Sequence, residues 1–301
     1  MKILLLGKNG QVGWELQRSL AALGEVVALD RPGTAELCGD LEDLAGIANT
    51  IRQLQPAVIV NAAAYTLVDK AETEPELAQR INADAPALLA QEAAEIGAWL
   101  VHYSTDYVFD GSGDKPWQEE DPTGPLSVYG ATKRAGEQAI LASGAKALIF
   151  RTSWVYAARG HNFVKTMLRL AQEREALSVV ADQIGAPTSA DLIADVTALA
   201  LSRVLNDPGS AKLSGLYHLV AAGEDSWCGF ARYALAEAER AGVALKVGSD
   251  QVGAISTADY PTAAPRPLNS RLCTQKLEHT FRLKMPPWQA GVARMLQELL
   301  K

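Results

Sequence analysis

Five short runs that are almost wholly apolar, Lys2 to Leu6, Val26 to Asp30, Ala57 to Ala62, Trp99 to Ser104 and Ala147 to Arg151, are separated by longer stretches of helical periodicity. A strand that is apolar at nearly every position, rather than at every second one, has both faces covered. That is the pattern of a parallel sheet joined by crossover helices. Helices are expected at Gln11 to Leu23, Glu42 to Leu54, Pro75 to Ile96 and Val128 to Ala142, where apolar residues recur at three- and four-residue steps. The expected fold class is therefore α/β, with a doubly wound parallel sheet.

Beyond Ser153 the pattern loosens. Helices are expected near Asn162 to Glu173, Ala190 to Asn206 and Ser226 to Ala241, with strands at Ser178 to Ala181 and Gly215 to Val220. Residues 1–152 then form the main domain, and 153–301 partly continue its sheet while mainly building a smaller α/β lobe that would hold a substrate. Gly253 to Arg271, rich in Pro, Ala, Ser and Thr, reads either as a linker or as a ligand-facing loop carrying Arg266 and Arg271.

A chain of 301 residues with 48% hydrophobic side chains has the material for a packed interior. Its net charge of -7 argues against a protein that covers nucleic-acid phosphates with a basic face. Cys38, Cys228 and Cys273 are odd in number and widely spaced, so they fit no disulfide framework and imply a reducing compartment. The opening MKILLLGKNG is too short an apolar run for a signal sequence, and no stretch is long enough to span a bilayer. The expectation is a cytoplasmic protein with neither nucleic acid nor membrane as partner. His102, His161, His218 and His279 lack metal-ligand spacing and are read as structural.

Gly7, Gly10 and Gly13 stand between the first strand and an amphipathic helix as G-x-x-G-x-x-G. Glycines there permit a tight turn and let the backbone approach a pyrophosphate, which the free N–H groups of Gly10, Gln11 and Val12 at the helix start would meet. No Gly-Lys-Ser/Thr follows, so this is not a Walker loop. Asp30 closes the second strand 17 residues past Gly13, where a carboxylate would accept hydrogen bonds from an adenosine ribose. It favours NADH, whereas Arg31 beside it suits the 2′-phosphate of NADPH. Asp40 and Leu41 would flank the adenine, with a helix cap ahead of Asp43 as the other reading of Asp40. Ala63, Ala64 and Tyr65 follow the third long strand, where small residues leave room for the cofactor. A Rossmann-like dinucleotide domain is the reading that unites these positions.

Tyr129 and Lys133 lie four residues apart near the start of a helix, so both side chains point the same way. A phenol titrates near 10, and an adjacent ammonium is expected to lower that value and make it a usable proton donor. Ser104-Thr105-Asp106 ends the fourth long strand with two hydroxyls, either of which can hold a substrate oxygen beside the tyrosine.

The runs GKNGQVGWEL, VNAAAYTLVDKAE, HYSTDYVFDG, VYGATKRAGE, FRTSWVY and GAPTSA resemble the dTDP-4-dehydrorhamnose reductases, a family of extended short-chain dehydrogenases/reductases, and the likeness continues to RPLNSRL and the final helix. The resemblance implies hydride transfer from NADPH or NADH to C4 of a small-molecule nucleotide sugar, with Tyr129 as proton donor and Thr105 completing a catalytic triad with Lys133. It places Val68, Thr105, Asp106, Tyr129, Trp154 and Arg266 against the substrate, a packed strand-end indole being the other reading of Trp154. Some members are metal-bridged homodimers, and the matching carboxylates here are Glu15, Asp191 and Glu298, with Asp191 standing where Glu is usual. Mg²⁺ and a homodimer are implied to that extent. Two rival classes remain: a nucleotide-sugar epimerase or dehydratase on the same scaffold, and a non-catalytic cofactor-binding regulatory subunit.

Overall fold

The computed structural model describes residues 1–300. Six parallel strands form the main sheet: β1 (Lys2–Leu6), β2 (Glu25–Leu29), β3 (Val58–Asn61), β4 (Trp99–Thr105), β5 (Lys146–Thr152) and β6 (Gly215–His218), in the order β6-β5-β4-β3-β1-β2. The crossovers between the first five use α1 (Gln11–Leu20), α2 (Leu44–Leu54), α3 (Ala85–Ile96) and α4 (Val128–Ala142). The direction of strand addition reverses between β1 and β3, and such a switch point opens a crevice at the carboxyl ends of the strands.

Each strand is apolar on both faces, and alternate residues feed different cores. Ile3, Leu5, Val58, Val60, Val101 and Phe150 pack on one side with α1. Leu4, Leu6, Ile59, Leu100 and Ile149 pack on the other with α2 and α3. The first core also takes Ile193, Ala194, Val196, Ala200 and Leu201 from α5 (Ala190–Asn206), so the later half of the chain covers part of the earlier half's sheet and adds β6 to its edge.

The rest of the later half has its own core, in which Phe230, Ala231, Ala234 and Leu235 of the helix Trp227–Arg240 meet Val164, Leu168, Trp288 and Val292. Small sheets rim it: Ser178–Val180 pairs with Gly253–Ile255, and Ile184–Gly185 pairs with both Asp225–Ser226 and Asn269–Ser270. Those pairings correct the linker reading of Gly253 to Arg271, because the segment is stitched to the lobe by backbone hydrogen bonds. The expected single helix from Pro75 to Ile96 is interrupted by a π-helical turn at Arg80–Asp84. There Asn82 Oδ1 accepts from Tyr65 N at 2.9 Å while its Nδ2 donates to Tyr65 O at 3.0 Å, and the loop after β3 is pinned by that bulge. Among the described residues no helix is long and apolar enough to cross a membrane.

Candidate active site

The turn after β1 is dictated by close approach. Gly7 has φ +85°, and a Cβ there would lie 2.7 Å from Ala63 N. A Cβ on Gly13 would lie 2.0 Å from Gly7 O, so α1 seats directly on the turn. Gly10 caps α1 without a side-chain hydrogen bond, which leaves the first N–H groups of the helix facing outward at the positive end of its dipole. In front of them lies a groove of about 810 Å³ lined by Gly7, Gly10, Gln11, Val12, Asp30, Arg31, Ala63, Ala64, Tyr129 and Lys133. Asp40, Leu41 and Tyr65 line an adjoining pocket of about 400 Å³ that shares Gly7, Arg31, Ala63 and Ala64 with the groove. The structure thus brings the sequence-derived cofactor positions to one surface, with Gly13 buried just behind.

Both signs of charge meet at the ribose end. Asp30 takes Asn9 Nδ2 and lies 3.8 Å from Lys8 Nζ, while Arg31 pairs with Asp40 at 3.2 Å and with Glu42. The cap of α2 is Asp43, which accepts from Gly46 N at 2.9 Å, so Asp40 is not the helix cap that was its other reading. Ser104 and Thr152 line the groove at the strand ends, and their buried hydroxyl oxygens have no hydrogen-bond partner among the described residues.

α4 begins at Ser127, whose hydroxyl accepts from Gly130 N at 3.2 Å, and this cap places Tyr129 and Lys133 on the face toward β4. Thr105 stands near the Tyr129 phenol and donates its hydroxyl to Asp106 Oδ1 at 3.0 Å. Of the two candidate hydroxyls, Thr105 is the one that bears on the phenol's titration, while Ser104 Oγ is without a partner among the described residues. Burial pushes the Tyr129 phenol up to about 12, against the lowering effect of Thr105 and with Asp106 raising it further. The expectation that Lys133 lowers it is corrected here: the lysine amine donates to Tyr103 O at 2.6 Å and lies 3.2 Å from His102 Nε2. Burial brings Lys133 itself down to about 8, opposed by the charge of Glu137. Asp106 is pushed up to about 6 by burial, against the lowering effect of Ser270 and of the Thr105 hydroxyl that donates to it.

The positions assigned to substrate come from five separate segments. Val68 opens the short helix Val68–Ala71, and its neighbour Asp69 holds Arg266 Nη2 at 2.7 Å. Arg266 stands over the Tyr107 ring at 6.0 Å, and Tyr107 meets Tyr129 edge to face at 5.6 Å. Arg271 is turned away toward Glu224, 3.0 Å from its Nε. Trp154 has φ +49°, a left-handed backbone seldom adopted by a bulky residue, and stacks on Trp227 at 3.8 Å. Its half-buried ring packs against the edge of the lobe's core, so the indole is both a packing residue and part of the surface. Sequence reasoning passed over Trp227, Ser270 and His102. Trp227 and Ser270 are brought in by the lobe's own packing and carry no spacing signal, and His102 looked like one more residue of an apolar strand.

Glu15, Asp191 and Glu298 do line one small cleft, but Arg294 fills it, 3.1 Å from Asp191 and 3.4 Å from Glu298, and Glu15 pairs with Arg18 at 3.4 Å. Carboxylates already neutralised by arginines do not form the oxygen cage that Mg²⁺ requires. Among the described residues of the single chain, no group of three or more His, Cys, Asp or Glu side chains is placed to hold a metal.

The family model for the RmlD substrate binding domain matches residues 1–301. The dTDP-4-dehydrorhamnose reductase of Salmonella typhimurium is 56% identical, over 99% of this chain and 98% of the relative. Among solved structures, a dTDP-4-dehydrorhamnose reductase of Clostridium acetobutylicum is 36% identical and covers 100% of both chains with a TM-score of 0.88. The Bacillus anthracis enzyme, solved in complex with NADP, is 36% identical over 99% of each chain with a TM-score of 0.86. With the glycine turn, the Tyr129–Lys133 pair and an end-to-end match in agreement, the chain belongs to the dTDP-4-dehydrorhamnose reductase family.

Proposed function

We infer that this protein reduces the C4 keto group of dTDP-4-dehydro-β-L-rhamnose to dTDP-β-L-rhamnose with NADPH or NADH. The observation that carries the reading is the placement of Tyr129 and Lys133 in the wall of the groove that receives the uncapped start of α1, with Thr105 close to the phenol.

The residues fit a dinucleotide: an open helix N-terminus for its pyrophosphate, small residues after β3, and unpartnered buried hydroxyls beyond. A bound reduced nicotinamide would supply the hydride. Thr105 would hold the carbonyl oxygen beside Tyr129. A phenol held near 12 is protonated at neutral pH, which is the form a reduction needs, and it can give its proton to the more basic alkoxide forming at C4. Lys133 would hold a ribose hydroxyl of the nicotinamide nucleotide. Arg266, over Tyr107 and beside Val68, would meet the substrate diphosphate by exchanging its bond to Asp69 for one to phosphate. Trp154, stacked on Trp227, offers a flat apolar face to the sugar.

The two cofactor forms are both supported. Asp30 suits a free ribose hydroxyl, and Arg31 suits a 2′-phosphate once released from Asp40 and Glu42. The intact triad argues against a non-catalytic subunit, and Asp106 followed by Tyr107 lacks the paired acids of a dehydratase.

The test follows NADPH and NADH absorbance on mixing with dTDP-4-dehydro-L-rhamnose, for the wild type and Tyr129→Phe. Stoichiometric oxidation that falls by roughly 10²- to 10⁴-fold in the variant is expected. No oxidation of either cofactor by the wild type would remove the assignment.

A further inference from the structure

Beneath the catalytic lysine lies a buried polar chain that the reaction as described does not use. His102 on β4 is 1% exposed, Lys133 2% and Asn61, the last residue of β3, 1%. Lys133 Nζ is 3.2 Å from His102 Nε2, and the Asn61 side-chain amide is 3.2 Å from His102 Nδ1. Asn61 Oδ1 in turn accepts from Ala63 N at 3.2 Å, and Ala63 forms part of the groove wall against Gly7.

The imidazole is neutral: burial, and then the charge of Lys133, hold it well below its ordinary value. A neutral imidazole has one N–H and one lone pair, so its two contacts are not independent. If Nε2 accepts from an ammonium, the ring proton sits on Nδ1 and must be met by the Asn61 carbonyl. If Nδ1 accepts from the Asn61 NH₂, the ring proton sits on Nε2 and can be met at Nζ only by a neutral amine. One proton moved across the ring and a half-turn of the Asn61 amide exchange the two states. The amide that turns is the one that holds the Ala63 N–H.

We propose that His102 is a positioning residue that acts through Lys133, tying the lysine's charge state to the orientation of the Asn61 amide and so to the Ala63 turn beneath the cofactor. Other titratable or charged groups facing Lys133 are Tyr129 and Glu137 on α4 itself and Arg151 on β5, which is paired with Glu137 at 2.7 Å. Tyr103 contributes its carbonyl, its hydroxyl being 2.8 Å from Thr197 Oγ1.

This inference rests on the reductase reading, and its first test is independent of turnover. In full-length protein labelled with ¹⁵N-histidine, with and without NADPH, the proton-bearing nitrogen of His102 is followed from about pH 6 to about pH 10, across the titration of Lys133. The expected result is a change from Nδ1–H to Nε2–H in the wild type and none in Lys133→Met. A single tautomer throughout in the wild type overturns the proposal whether or not the protein reduces the sugar.

The second test compares His102→Gln, whose amide can turn either an acceptor or a donor to Nζ, with His102→Leu, which has neither. The Gln variant is expected within about threefold of wild-type kcat. The Leu variant is expected to lose roughly tenfold or more, with the KM for NADPH nearly unchanged and the basic limb of the kcat profile moved to lower pH, because the ammonium has lost a partner. Equal kcat and superimposable pH profiles for the two variants overturn the proposal, and if the Leu variant does not fold the tautomer measurement decides alone.

Discussion

The two walls of the groove are built differently. The wall that faces the cofactor consists of consecutive strand ends of one parallel sheet, and its contacts are backbone ones: Gly7 against Ala63, Gly13 against Gly7, the open start of α1. The wall proposed to face the sugar is assembled from distant segments, with Asp69 holding Arg266 across 197 residues and Trp227 backing Trp154. A ligand gripped by backbone needs residues with no side chain in the way, whereas one gripped by side chains needs loops brought together by packing elsewhere. The first kind of wall tolerates little substitution, and the second can be retuned one residue at a time.

The largest effect should follow from Gly13→Val, which forces a side chain into the Gly7 carbonyl. Overpacking of this kind typically costs about 1–3 kcal/mol, here with a branched side chain against backbone, and we expect a lower Tm together with loss of NADPH binding by calorimetry. Wild-type cofactor affinity in this variant would show that the turn is not the grip. Lys133, where the walls meet, gives a comparable effect with a defined pH window. Its folded-state value of about 8 lies below its ordinary 10.5, so between those values the unfolded chain binds a proton that the folded one lacks. Stability should therefore rise with pH across that window, by up to roughly 2–3 kcal/mol from this group, and Lys133→Met should flatten the rise in denaturation curves taken at several pH values.

On the sugar wall, Arg266→Ala should raise the KM for the nucleotide sugar roughly 10- to 100-fold, the effect of losing about 1.5–3 kcal/mol of charged hydrogen bonding, while cofactor affinity stays put. A parallel loss of cofactor affinity would mean that the two walls are one unit. The smallest change is expected for Trp227→Leu, which removes the stacking partner of Trp154. An aromatic pair is worth about 0.5–1.5 kcal/mol, so a KM increase of roughly two- to tenfold in steady-state assays is expected, with kcat little altered.

The same contrast explains what could be read from the sequence. Strands covered on both faces announce themselves as apolar runs, and β1 through β5 came within a residue or two of their expected bounds for that reason. A glycine turn between strand and helix, and Tyr129 four residues before Lys133, are local patterns. His102 is a different case: alternate residues of β4 face opposite sides, and only α4 lying across one side makes an interior histidine the neighbour of a catalytic lysine. The loop from Gly253 to Arg271 was ambiguous because the strands it pairs with, Ser178–Val180 and Ile184–Gly185, are remote in sequence. The lysine's effect on Tyr129 was misjudged because spacing brings two side chains to one helix face without saying where their polar ends turn.

The last strand to join the main sheet, β6, has a consequence for how the protein is made. It pairs with β5 but is separated from it by the 62 residues from Ser153 to Ser214, which include α5. While the chain grows on a ribosome, β5 is complete long before its neighbour has been synthesised, and an apolar edge left bare is a template for pairing with other chains. Production of this protein is then most exposed to misassembly during that interval, and a truncated product ending near residue 152 would stay in that state for its whole lifetime.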